Sequence, residues 1–166
     1  GGINQNIDIQ GTGIASLEYE DFVIESNDFD ITVILDNETA KNGTSVTIVT
    51  QICINSGVCY PPEDNDLISS EDRKFWNGSI EVNEDASYLN WRIKMIFSDG
   101  NETNIPENGF GWKVWSTCWF DGVSWGGSDE SCNSSVEDSS LSGFGILITI
   151  SAAFIAVVVT RHRRGL

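Results

Sequence analysis

The stretch "YLNWRIKMIF", residues 88–97, sets Leu89, Trp91, Ile93, Met95 and Phe97 at every second position. Only an extended strand places such a set on one face. Arg92 and Lys94 then look outward, as on a half-buried strand. Most of the chain as far as Phe120 reads the same way, with no helical period. "FDITVILD" (29–36) and "TSVTIVTQICI" (44–54) are β-branched runs bounded by the turn-rich "NETAKNG" and "NSG". "IASLEYEDFVI", "WNGSIEV" and "FGWKVWSTCWF" extend the series. Asp99-Gly100 stands where a two-residue hairpin turn needs positive φ, so "NETNI" is expected to return alongside until Pro106 ends it. Seven or eight strands at this spacing predict a mainly β ectodomain, an immunoglobulin-like β-sandwich.

A different pattern follows. "LSGFGILITISAAFIAVVVT", residues 141–160, carries no charge. As a helix it would span about 30 Å at ~1.5 Å per residue, the thickness of a bilayer core. Arg161, Arg163 and Arg164 come next, the cluster expected on the cytoplasmic side of a stop-transfer segment. The expected division is a 1–127 ectodomain, a 128–140 Ser/Asp/Glu-rich stalk, a 141–160 transmembrane helix and a 161–166 basic cytoplasmic tail. The chain then sits in the cell membrane as a single-pass protein, its amino-terminal domain extracellular and its partner the lipid bilayer. The opening "GGINQN" reads as a mature form or a carboxy-terminal piece of something longer.

Charge and composition agree with export. Before Leu141 there are six basic residues against all 25 acidic ones, a net −19. That field repels nucleic acid and anionic lipid, so nucleic acid is not an expected partner. Sequons at Asn37, Asn42, Asn77, Asn101 and Asn133 are candidate glycosylation sites. The cysteines number four, at Cys53, Cys59, Cys118 and Cys132. An even count in an exported domain implies bridges, and the local pairs Cys53–Cys59 and Cys118–Cys132 are favoured among three connectivities. A Cys₄ zinc site is the alternative, but C-x₅-C and C-x₁₃-C lack knuckle spacing.

"TSVTIVTQICINSGVCYPPE" puts the first pair at a strand end, across a Gly-containing loop, before Tyr60, Pro61, Pro62 and Glu63. This segment resembles the redox hairpin in the amino-terminal, immunoglobulin-like domain of the DsbD thiol:disulfide interchange reductases. The resemblance implies that Cys53 and Cys59 exchange disulfides with an incoming thiolate. The tail "SDESCNSSVEDSS", then "SGFG", an apolar run and arginines, is similar to the sorting tails of archaeal surface proteins that carry a Pro-Gly-Phe signature. Ser142 stands where Pro would be. That likeness implies an archaeal-type cell-surface protein.

His162 is the only histidine, and it follows the apolar run. Ser-His-Asp and Cys-His catalysis are thereby excluded from the ectodomain, as are His-ligated metals. "PPEDNDL" and "NDFD" offer oxygen ligands for Ca²⁺, but a solvated acidic face explains them as well, and no cofactor is expected. Alternation in "FGWKVWSTCWF" assigns Phe110, Trp112, Val114, Cys118 and Phe120 to the core. It leaves Lys113, Trp115, Thr117 and Trp119 on the other face, where Trp115 and Trp119 are candidate stacking residues for a sugar or a protein. The function expected from all this is adhesion, envelope structure or ligand binding at the cell surface without catalysis. The alternatives are thiol-disulfide exchange through Cys53 and Cys59, and carbohydrate binding through Trp115 and Trp119.

Overall fold

The computed structural model describes residues 1–130 and 132. The fold is mainly β. Its elements are β1 (Ile14–Tyr19), β2 (Asp28–Leu35), α1 (Asn37–Lys41), β3 (Ser45–Ile54), β4 (Glu63–Asp66) and β5 (Ile68–Ser69). They continue with β6 (Phe75–Glu81), β7 (Ala86–Ile96), β8 (Glu102–Ile105), β9 (Trp112–Trp115), β10 (Trp119–Phe120) and β11 (Trp125–Gly126). One sheet has the order β1-β2-β6-β5. The second runs β4-β3-β7-β8, with β9 also on β7, and β10-β11 form a small hairpin. Every strand pair is antiparallel.

The alternation of β7 is realised from Leu89 to Met95: Leu89, Trp91, Ile93 and Met95 are buried while Asn90, Arg92 and Lys94 are half-buried, and Phe97, just past the strand, is half-buried against the same core. Phe29, Ile31, Val33 and Leu35 of β2 supply the facing wall, and the two sheets share one core. At its centre the rings of Trp91 and Trp112 stack 4.3 Å apart, and Tyr19 meets Trp91 edge-on at 5.1 Å. Burial, and then the Asp21 carboxylate, push the Tyr19 phenol above its ordinary pKa.

Four local expectations are corrected. "NETAK" is a short helix, not a turn, because the Asp36 carboxylate caps it by accepting from the Thr39 N–H at 2.7 Å. The β7–β8 hairpin closes through a three-residue loop, Ser98 to Gly100, in which Gly100 alone takes positive φ and donates to the Phe97 carbonyl. The strand expected from Ile14 to Ile24 stops at Tyr19. Beyond it the chain crosses to the other sheet, where Val23 exchanges bonds with Trp115 and Thr117. The strand expected from Phe110 to Phe120 breaks after Trp115: Ser116 still donates to the Ser87 carbonyl at 2.9 Å, but the Cys118 N–H turns away from β7 to the Glu25 carboxylate. Ser116 is buried, while Phe110, Cys118 and Phe120 are half-buried instead of lying in the core.

The compact unit runs Gly1–Asn133, past the boundary expected at 127, since buried Cys132 is bridged back to Cys118. Among the described residues no helix is long and apolar enough to cross a membrane. The rest of the expected stalk, the 141–160 segment, and Arg161, Arg163 and Arg164 lie outside the described residues.

Candidate functional site

Register brings two of the sequence candidates together. Cys53 of β3 pairs with Tyr88 of β7, and Tyr88 pairs with Trp115 of β9, so the three form one row across the outer face of the larger sheet. The Tyr88 hydroxyl lies 3.7 Å from Cys59 Sγ, its ring 4.9 Å from that of Trp115, and Trp115 is 5.0 Å from Trp119. Lys113 Nζ sits 4.2 Å above the Tyr88 ring and 5.5 Å from Trp115, a cation–π contact in place of an ion pair.

Both tryptophans are half-buried, and the amino-terminal residues run over them. Trp115 donates its indole N–H to the Ile3 carbonyl at 3.0 Å, and its backbone N–H to Asn4 Oδ1 at 2.9 Å. Gln5 bridges to Lys113 as an added edge. Trp119 lies so close to Gly126 that a Cβ there would come within 2.5 Å of its ring. These contacts make the aromatic cluster a packed seam between β9, the β10–β11 hairpin and residues 1–5.

Both cysteine pairs are bridged, Cys53–Cys59 and Cys118–Cys132. Cys53 is 1% exposed at the end of β3 whereas Cys59 is exposed, so an approaching group meets Cys59. Cys118 is anchored from a distance: the Glu25 carboxylate accepts from the Cys118 N–H at 2.6 Å and from the Thr117 hydroxyl at 2.5 Å. In the hairpin turn beyond, Asp121 accepts from the Val123 and Ser124 backbone N–H groups at 2.9 Å. Those bonds, the Ser124 one foremost, with the amino-terminal ammonium 3.1 Å away, hold its pKa down at about 2.

The residues after Cys59 build a concave site. A cleft of about 620 Å³ opens where β4, the outer strand of its sheet, faces the part of β6 beyond its pairing with β5. Buried Ile80 and Val82 and half-buried Ile52 make its floor. Tyr60 and Pro61 form one wall, and Glu63 and Asn65 face it from β4, while Ser79 and Glu81 border it with their side chains on the outer face of β6. Tyr60 is held by its N–H to the Ile52 carbonyl at 2.9 Å and by its carbonyl, which accepts from Gln51 Nε2 at 3.1 Å. Its ring is left 41% exposed.

The pleat of β4 divides "EDND" between two faces. Glu63 and Asn65 line the cleft, whereas Asp64 pairs with Lys94 and Asp66 accepts from the Thr47 hydroxyl on the opposite side. Asn65 gives its amide N–H groups to Thr50 Oγ1 and the Glu63 carbonyl, at 2.9 and 3.3 Å. Its carbonyl oxygen is left to accept. Neither Glu63 nor Glu81 has an ion-pair partner among the described residues. Sequence reading missed this cleft, although β4 carried the signal: an edge strand with no apolar residue to turn inward cannot seal a core.

Among the described residues no three His, Cys, Asp or Glu side chains are grouped to hold a metal ion. Asn37, Asn42, Asn77 and Asn101 are exposed, with Asn77 accepting from the Thr32 hydroxyl at 2.8 Å; Asn133 lies outside the described residues. Comparison with models of known protein families finds none that matches the chain, and no curated protein matches it.

Proposed function

We propose that the chain is a membrane-anchored, extracellular binding module that holds a ligand in the cleft beside its bridged hairpin and performs no catalysis. The observation that carries this reading is the cleft itself, with an apolar floor and convergent polar groups, the usual composition of a ligand site. An immunoglobulin-like β-sandwich is the architecture we assign, supported by two antiparallel sheets sharing one core. Such sandwiches are scaffolds, and function follows from the site grafted on them. The uncharged 141–160 run followed by Arg161, Arg163 and Arg164 supports a single-pass anchor with an outward-facing domain. Exposed sequon asparagines suit a glycosylated surface.

The test is a fragment screen by amide chemical-shift mapping on the intact 166-residue chain in non-ionic detergent. Hits should move the amides of Ile52, Asn65, Ile80 and Asn83, and a bulky Glu63→Trp substitution on the cleft side of β4 should abolish them. Hits confined to the Trp115–Trp119 seam would shift the site there, and a screen with no hits at the cleft refutes it as the ligand seat.

A second reading has one specific observation in its favour, the accessibility of Cys59 over buried Cys53. An incoming thiolate would attack Cys59 Sγ and form a mixed disulfide, the Cys53–Cys59 bond would break, and Cys53 would leave as thiolate.

A further inference from the structure

We infer that Asn77 carries an N-linked glycan whose first sugar lies on an apolar patch of the β1-β2-β6-β5 sheet, so that the modification completes the surface there. This rests on the ectodomain facing outward and is independent of the cleft. Register sets the geometry. On the outer face of the sheet, Asn77 of β6 stands opposite Ile68 of β5 and Thr32 of β2, while Phe75, two residues earlier on the same face, stands opposite Ile34. Ile68 is 78% and Phe75 41% exposed, and Ile34 is half-buried. Directly opposed side chains start about 4.5–5.5 Å apart, and same-face neighbours along one strand about 6.7 Å apart. A sugar joined to Asn77 therefore begins beside both exposed apolar side chains.

The chemistry of the Asn77-Gly78-Ser79 sequon fits that placement. The Thr32 hydroxyl donates to Asn77 Oδ1 at 2.8 Å, and Nδ2, the atom to be modified, has no hydrogen-bond partner among the described residues. Asn101 instead commits its Nδ2 to Asp99 at 2.7 Å, and Asn37 and Asn42 bound α1, outside any strand. In the transfer, Nδ2 bonds to the anomeric carbon of an oligosaccharide carried on a lipid phosphate. The bond from that carbon to the phosphate oxygen breaks, the lipid phosphate leaves with the electron pair, and the Nδ2 proton passes to a base of the transferase. In the fold the Ser79 hydroxyl is bonded to Asp30 at 2.7 Å, so transfer precedes the pairing of β6 with β2.

What covers the patch follows from its surroundings. A sugar ring sets its apolar C–H face on an aromatic ring and leaves its hydroxyls in water. A second copy meeting the same patch would bring Glu18, Asp28, Asp30 and Glu81 of this face against their own counterparts, like charge on like.

Protease shaving of intact cells should release ectodomain peptides. In the native chain the tryptic peptide 75–92, which holds one sequon, should carry the glycan in most copies. NMR on the intact glycosylated chain in non-ionic detergent should show contacts from the first sugar's C–H protons to the Phe75 ring and the Ile68 side chain. Phe75→Ala should keep the native amide spectrum and lose the sugar contact to Ile68. A bare Asn77 on released peptides overturns the glycan and leaves the outward-facing domain standing; if sedimentation then shows a dimer that Ile68→Lys dissolves, the patch belongs to a second copy. An occupied Asn77 whose sugar touches neither side chain overturns the covering of the patch. Ectodomain peptides released only after lysis overturn the outward-facing reading together with the glycan.

Discussion

Removing the Cys118–Cys132 bridge should loosen the molecule in two ways that one experiment can separate. The bridge closes a loop of about 15 residues, which the chain-entropy model values at about 3 kcal/mol of constraint on the unfolded chain. Locally, β10 and β11 have two residues each, too short to stand alone. The Cys118 end keeps other anchors: Glu25 holds the Cys118 N–H, while Asn55 Oδ1 accepts from the Phe120 N–H at 2.9 Å. In a Cys118→Ser, Cys132→Ser variant of the intact chain, the urea midpoint followed by tryptophan fluorescence should fall by roughly 1–3 M, taking about 1–3 kcal/mol per M for the slope. Hydrogen exchange should accelerate most at Trp125 and Gly126 and least at Leu89 and Trp91. An unchanged midpoint would refute the constraint argument, and uniform acceleration would refute the local one.

Three further predictions follow from the same framework. Trp112→Ala empties the space beside Trp91 at a site 2% exposed and should cost about 3–5 kcal/mol in urea unfolding; a loss under 1 kcal/mol would mean that the stack is not central to the core. Asp121 should titrate near pH 2 by carboxyl NMR. Because its folded pKa lies below the ordinary 3.8, its contribution is present above that value and is lost as pH falls through about 2; a midpoint at 3.8 would contradict the turn geometry. The intact chain should partition with membranes whereas a form ending at Ser140 stays in the aqueous phase, and two soluble forms would remove the anchor from the account.

How much was legible in the sequence depended on whether a residue's environment is set locally. The alternation of β7 and the β-branched runs of β2 and β3 fixed strand identity and core face, because period 2 is a property of the strand itself. Both cysteine pairs were readable from spacing. Readings that needed tertiary partners failed. The chain from Ile14 to Ile24 looks like one strand but serves two sheets, since Val23 finds its partners beside β9. The tryptophans after Trp112 look like an alternating face, yet the chain leaves β7 once the Cys118 N–H turns to the distant Glu25, and Trp119 enters a hairpin beside Gly126. The cleft is an inter-sheet feature: Asn65 and Ile80 border one space only once β4 and β6 face each other. Only the polar inner face of β4 hinted at it.

Whether this is a stapled binding module or an exchanging thiol pair is decided most directly by the equilibrium of Cys53–Cys59 with glutathione. As a structural bridge it should stay oxidised across ordinary glutathione buffers, with a potential below about −300 mV. A potential near −200 mV, with a glutathione mixed disulfide trapped on Cys59 in a Cys53→Ser variant, would contradict the binding-module account and establish redox exchange instead.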